Sequence, residues 1–282
     1  MIEKKYTVTD RAWEHLYQRL NRDGLLSGKE EATAHPSFRP ATFRWAVCAA
    51  VLLIGSLSGW LLIHHDARKP AWMVVHNDRN ASTLVTMLED SSIVYLLGEA
   101  SIQYPGSFGD GKREIKLKGD AFFEVSRNPG RPFLIDTKPA AIEVLGTAFD
   151  VRSDRSSFLL SVRKGEVKVS LKKNDRAVYV KAGEAISLEA GSLRPVDAGT
   201  IPSGKHLKQI YFKGERLGNV VHIINTNLDT VRLEVEPGLE GRLLTAAFAE
   251  ETPQTMAELI CMALNLQHVQ RQDTILIFEP KE

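Results

Sequence analysis

The segment Glu166-Val167-Lys168-Val169-Ser170-Leu171 alternates polar and apolar residues without interruption. A period of two is typical of a β-strand that buries one of its faces. The same alternation appears in Glu114–Lys118, and turn-forming pairs such as Pro105-Gly106 separate the runs. From residue 83 to residue 190 we count about ten to twelve such short strands and no convincing helix. This region is therefore predicted to be an all-β sandwich or β-roll.

The C-terminal residues 209–280 follow a different pattern, after a linker at residues 191–208. Apolar residues recur at helical spacing in Leu217–Leu228 and again after Thr252-Pro253, where the proline suits the first turn of a helix. Short strand-like runs flank both helices. The predicted order is β-α-β followed by β-α-β-β, which is a small α+β module whose halves look like a duplicated unit.

An uncharged apolar run covers residues 45–63, WAVCAAVLLIGSLSGWLLI. As a helix this run would cover most of a ~30 Å hydrocarbon core, which predicts a single transmembrane helix followed by a linker at residues 64–82. A cleaved signal peptide is disfavoured, because its apolar region is shorter and begins nearer the N-terminus. A buried soluble helix stays open as an alternative. The flanking charges, Arg39 and Arg44 before the run and Arg68 and Lys69 after it, give no clear orientation.

The arm before this run, residues 1–44, contains a helical pattern from Val8 to Leu20. Its apolar positions share one helix face: Trp13, Leu16, Tyr17 and Leu20. About forty residues cannot enclose a core of their own, so we expect this face to bind in a groove of a partner protein. A helix lying on the membrane surface and a disordered arm are the alternatives.

The composition excludes several functional classes. The net charge is +1, which gives no basis for direct nucleic-acid binding. No G-x-S-x-G, phosphate-binding glycine loop or H-E-x-x-H occurs, so we expect neither an enzyme nor a metal site, and no cofactor. The two cysteines, Cys48 and Cys261, are interpreted as small buried apolar residues rather than a disulfide.

Six segments of the β-rich region together resemble the FecR family of transmembrane anti-sigma regulators of Gram-negative bacteria. They are Thr83–Asp90, Tyr104-Pro105, Gly119–Val125, Arg131–Phe133, Val144–Val151 and Lys164–Val167. One departure is Asp90-Ser91-Ser92, where the family often has Asp-Gly-Ser. The C-terminal module is similar to the short N-terminal domain of secretins and TonB-dependent receptors.

The resemblance implies a signal relay in the inner membrane with a cytoplasmic N-terminus. The arm would hold an extracytoplasmic-function sigma factor through Trp13, Leu16, Tyr17 and Leu20. The β-rich region would lie in the periplasm and receive a signal from the signalling domain of a TonB-dependent outer-membrane receptor. We expect that domain to add a strand to a sheet edge. The relay would regulate transcription of iron or glycan uptake genes. The alternative is a membrane-anchored periplasmic ligand-binding module without a sigma partner, which would have no need of the apolar helix face.

The pair Gly146-Thr147 has two interpretations. In some FecR relatives the bond before such a threonine is self-cleaved, through attack of the hydroxyl on the preceding carbonyl. Alternatively, Gly146 only provides a bulge or a close backbone approach within a strand pattern.

Overall fold

The computed structural model describes residues 8–24, 52–56, 71–78, 82–154, 157–173, 176–200, 209–228 and 231–280. The chain forms two compact units, Met1–Ala67 and Arg68–Glu282. In the first unit, helix α1 spans Val8–Arg22, which confirms the predicted helix of the arm. Residues 52–56 are also helical. The rest of the predicted transmembrane segment 45–63, together with Cys48, lies outside the described residues. Among the helices that are described, none is both long enough and apolar enough to cross a membrane.

The second unit is mainly β, as predicted. Its elements are β1 (Trp72–His76), β2 (Thr83–Met87), β3 (Ile93–Leu96), β4 (Ser101–Pro105), β5 (Arg113–Glu124), β6 (Phe133–Asp136), β7 (Ala140–Val144), β8 (Ala148–Ser153), β9 (Phe158–Lys164), β10 (Glu166–Leu171), β11 (Ala177–Lys181), β12 (Ala185–Glu189), β13 (Ser192–Val196), β14 (Ile210–Arg216), α2 (Leu217–Thr226), β15 (Arg232–Val235), β16 (Leu243–Phe248), α3 (Pro253–Leu264), β17 (Gln267–Arg271) and β18 (Thr274–Phe278).

Two sheets share the long strand β5. The first half of β5 pairs with β4 and β6 in a first sheet of order β1-β4-β5-β6-β7-β10-β11. The second half pairs with β3 and β8 in a second sheet of order β13-β12-β9-β8-β5-β3-β2-β14-β16. The predicted β-sandwich or roll is thus a pair of sheets joined through one bent strand.

The bend in β5 lies at Gly119. This residue has φ +92, and a Cβ at this position would lie 2.9 Å from the Cα of Ala100. Only glycine fits both the backbone conformation and the close approach. Gly119 therefore allows β5 to leave one sheet and enter the other.

The sandwich core lies between the two sheets and follows the predicted alternation. In β10, Val167, Val169 and Leu171 are buried, whereas the intervening side chains are not. On the facing sheet, the Phe123 and Phe149 rings stack with centroids 5.4 Å apart. Burial of large apolar side chains such as these supplies most of the stability of such a fold.

The C-terminal elements have the predicted order β-α-β followed by β-α-β-β. Helix α3 begins as expected: Thr252 caps it by accepting a hydrogen bond from the Thr255 backbone N–H, and Pro253 is its first residue. Strands β15, β18 and β17 form a separate three-stranded sheet.

This module shares a core with the sandwich. Strand β14 pairs in parallel with β2, at Ile210↔Thr83 and Tyr211↔Leu84. The outer face of the second sheet, including Tyr95 and Phe122, belongs to the same apolar cluster as α2 and α3. The second sheet is therefore covered on both faces.

Candidate functional site

The apolar face of α1 is open to solvent. The exposed fractions are 69% for Trp13, 47% for Leu16 and 64% for Tyr17, and Leu20 is half-buried. The helix ends with Arg19 and Arg22 in its last turn, where cations interact favourably with the helix dipole. The structure thus brings the four residues of the predicted partner-binding face together on one helix and leaves most of the surface of Trp13 and Tyr17 uncovered.

Gly146 and Thr147 lie at a corner between the two sheets, not inside a strand. Strand β7 of the first sheet ends at Val144, and β8 of the second sheet begins at Ala148. A Cβ on Gly146 would lie 2.5 Å from the Cα of Arg127, so the predicted close backbone approach is present. The same corner shifts the register between β8 and β9 at Ala148/Phe149.

Two other segments hold this corner in place. The loop after β5 donates two backbone hydrogen bonds to it, from Val125 N to Thr147 O (2.9 Å) and from Asn128 N to Leu145 O (2.7 Å). On the other side, Gly165 has φ +86, and a Cβ there would lie 2.7 Å from the methyl group of Thr147. Gly165 is therefore needed for the threonine to fit.

The Thr147 hydroxyl is buried and has no hydrogen-bond partner, and the residue is only 5% exposed. Leaving a buried hydroxyl unpaired costs about 1–3 kcal/mol. The carbonyl group that precedes Thr147 in the chain belongs to Gly146. The arrangement leaves a buried hydroxyl oxygen without a hydrogen-bond partner beside the Gly146–Thr147 peptide bond, while Gly146 itself is half-buried.

The loop that clamps the corner depends on a buried arginine. Arg113 is 1% exposed, and its Nη1 donates to Asp90 Oδ2 (2.6 Å) and to Ser126 O (2.9 Å). Its Nε donates to Arg131 O (2.9 Å). Asp90 in turn accepts from the Ser92 hydroxyl at 2.7 Å. The Arg113 side chain therefore connects the turn after β2 to both ends of the loop 126–131.

Sequence reasoning missed this ion pair, although a signal was present. Arg113 lies in phase with Ile115 and Leu117, the buried residues of the same strand. A charged residue on the apolar face of an alternating strand indicates a buried charge that needs a partner.

Residues 78–168 match the family model described as "FecR protein". A search of curated proteins found no match. Two crystal structures of "a putative anti-sigma factor" from Parabacteroides distasonis ATCC 8503, at 1.65 and 2.50 Å resolution, each share 20% sequence identity with this chain. They cover 74% and 75% of this chain and 100% of their own, with TM-scores of 0.44 and 0.45.

The matched residues run from just after β1 into β10 and include the Asp90–Arg113 ion pair and the Gly146–Thr147 corner. Residues 78–168 are therefore similar to the FecR family.

Proposed function

We propose that this protein is an anti-sigma regulator anchored in the inner membrane. Helix α1 binds an extracytoplasmic-function sigma factor in the cytoplasm, residues 45–63 cross the membrane, and Arg68–Glu282 lies in the periplasm. There it receives a signal from the signalling domain of a TonB-dependent receptor and so controls nutrient-uptake genes. The match of residues 78–168 to the FecR family and the apolar face of α1 support this proposal.

The exposed face of α1 is the observation that carries the proposal. Covering each large apolar side chain of that face contributes roughly 1.5–3 kcal/mol. Trp13 and Tyr17 are also residue types that dominate binding energy at protein interfaces. A helix in a groove of the sigma factor would bury this face.

The test is co-purification of the full chain with each extracytoplasmic-function sigma factor of the same organism. We expect Trp13→Asp/Leu16→Asp to abolish the complex, since two charges would enter the apolar interface. The matched control is His15→Asp/Gln18→Asp, which adds two aspartates to the opposite face of the same helix and is expected to leave the complex intact. Equal retention of sigma by both variants would refute the role of α1.

A second proposal concerns the bond between Gly146 and Thr147, and the unpaired Thr147 hydroxyl supports it. The hydroxyl oxygen attacks the Gly146 carbonyl carbon, the C–N bond breaks, and the hydroxyl proton goes to the departing amine. Water then opens the resulting ester to give a Gly146 carboxylate and a free Thr147 N-terminus. Freshly purified protein should give two fragments and Thr147→Ala one intact chain. An intact wild-type mass would end this proposal and leave the corner with a structural role alone.

A further inference from the structure

Six strands of Arg68–Glu282 have a strand neighbour on one side only, within the part of the chain that is described: β1, β11, β13, β15, β16 and β17. Natural proteins usually protect such edges with charged residues or proline. Strands β11, β13, β15 and β17 follow this rule, whereas β1 and β16 carry no lysine, arginine, acidic residue or proline. These two strands are unprotected edges.

The backbone of β1 presents unpaired polar groups at fixed positions. Gly106 N donates to Ala71 O, and Asn77 N donates to Ala100 O, so the residues at 71 and 77 point their polar groups toward β4. Because the direction of the backbone N–H and C=O groups alternates along an antiparallel strand, those of Met73 and Val75 also point toward β4. The N–H and C=O groups of Trp72, Val74 and His76 consequently face the free edge.

A groove runs along this edge. Its larger part is a cavity of about 690 Å³ lined by Met73 and Val75 of β1, by β2 and by the β14 segment around Glu215. A second cavity of about 270 Å³ continues it past Val74 and His76. The two cavities share four lining residues, Val75, Thr86, Lys213 and Glu215. The groove therefore follows β1 from Met73 to His76.

The opposite wall of the groove is fixed by hydrogen bonds. Glu215 accepts from the Thr86 hydroxyl (3.0 Å) and from the Asn219 side-chain amide (2.7 Å). A bulge in β14 between Phe212 and Glu215 limits the pairing of β14 with β2 to two residues. The groove consequently stays open between the two sheets.

The charges and apolar surfaces of the groove indicate which segment fits. Its acidic residues, Glu89 and Glu215, are balanced by Lys213 and Arg216. Two apolar side chains of β1, Met73 and Val75, face it at alternate positions. An extended segment that is uncharged in its centre, with an apolar side chain at every second residue, complements this surface.

We propose that the groove binds an extended segment of a partner protein, which adds to β1 as a further strand. Main-chain hydrogen bonds to Trp72, Val74 and His76 give affinity, and the alternate apolar positions give selectivity. This site deepens the proposed function and rests on it in one respect, the expectation that a partner adds a strand to a sheet edge of Arg68–Glu282. It does not depend on sigma binding by α1.

The experiment selects binders from a displayed library of random peptides, about ten residues long, on the full chain in detergent. A selected peptide is then measured on three variants. Val74→Pro removes a free-edge N–H without removing a β1–β4 hydrogen bond, and Val74→Ala is its matched control, which keeps the N–H. Lys213→Trp fills the groove from the opposite wall. It also removes the ion pair of Lys213 with Asp78 (3.5 Å), which contributes little because both side chains are mostly exposed.

We expect affinity to fall about tenfold or more in Val74→Pro and in Lys213→Trp, and to stay within about threefold in Val74→Ala. Bound peptide should slow amide exchange at residues 72, 74 and 76 of β1. The proposal is overturned if no peptide is selected, or if peptides bind all three variants equally. It is also overturned if exchange slows at β16 instead, or if the protein dimerises through β1, since a second copy would then be the occupant.

Discussion

The ion pair between Asp90 and Arg113 gives the sharpest test of how the FecR-like region is held together. We consider Asp90→Asn, which keeps the shape of the side chain and removes its charge. The Arg113 side chain is 1% exposed and that of Asp90 is 11% exposed, so solvent cannot replace the lost charge. Breaking a buried pair on one side costs about 3–5 kcal/mol, because the remaining charge is uncompensated.

We expect this loss in the free energy of unfolding of the fragment Arg68–Glu282, followed by circular dichroism in urea. For a fragment of this size it corresponds to a fall in Tm of roughly 6–20 °C. Arg113 also holds Ser126 and Arg131, so amide exchange should accelerate in the loop 126–131.

The double variant Asp90→Asn/Arg113→Met separates charge from packing. Since it removes both charges, its loss should be smaller than the sum of the two single losses by about 1 kcal/mol or more. The reasoning is refuted if Asp90→Asn changes stability by less than about 1 kcal/mol, or if the two single losses are additive.

Four further outcomes are expected from the same structure. Ser91 has φ +63, so Ser91→Gly should raise the free energy of unfolding by about 1 kcal/mol; a loss would contradict the left-handed turn. Gly146→Ala should lower the free energy of unfolding in urea by about 3 kcal/mol or more, because its Cβ would clash with Arg127. The control Gly111→Ala, with open space at its Cβ, should lower it little. Equal losses would contradict the tight corner. Burial raises the pKa of the Cys261 thiol to about 11. At pH 8 iodoacetamide should therefore label the folded protein at Cys261 about a hundredfold more slowly than the protein unfolded in urea, as measured by peptide mass spectrometry. Equal labelling rates would show that the thiol is exposed. Burial also raises the pKa of Glu124, against the opposing effect of Arg163, so the folded state holds the proton more tightly and stability falls as pH rises through that pKa. Glu124→Gln should therefore raise Tm at pH 7 but not below the pKa of an unfolded glutamate, about 4.3. An effect on Tm that does not depend on pH would contradict the raised pKa.

Local patterns predicted the strands well, because one residue in two faces a core. The run Glu166–Leu171 is β10, and the C-terminal order of strands and helices follows the predicted one. The segment Asp120–Val125 does not alternate in this way, since it has aromatic residues on both faces. The structure explains this: Phe123 stacks on Phe149 in the sandwich core, whereas Phe122 contacts Tyr95 beneath the C-terminal module.

What the sequence did not predict depends on contacts between distant residues. The pairing of β2 with β14 joins positions more than a hundred residues apart, and no local pattern encodes it. Likewise, Gly146 was expected within a strand pattern, but the chain changes sheets there. The close approach itself was predictable from glycine, whereas its partner Arg127 was not.

The two units, Met1–Ala67 and Arg68–Glu282, are proposed to lie mainly on opposite sides of the inner membrane, and protease accessibility measures this. Intact spheroplasts are treated with an external protease, and fragments are detected with antibodies to the two ends of the chain. We expect the protease to digest Arg68–Glu282 or to release it from the cell, while residues 1–44 stay protected until the membrane is lysed. Digestion of the N-terminal arm with the C-terminal unit spared, or a protein that is fully soluble without detergent, would contradict it.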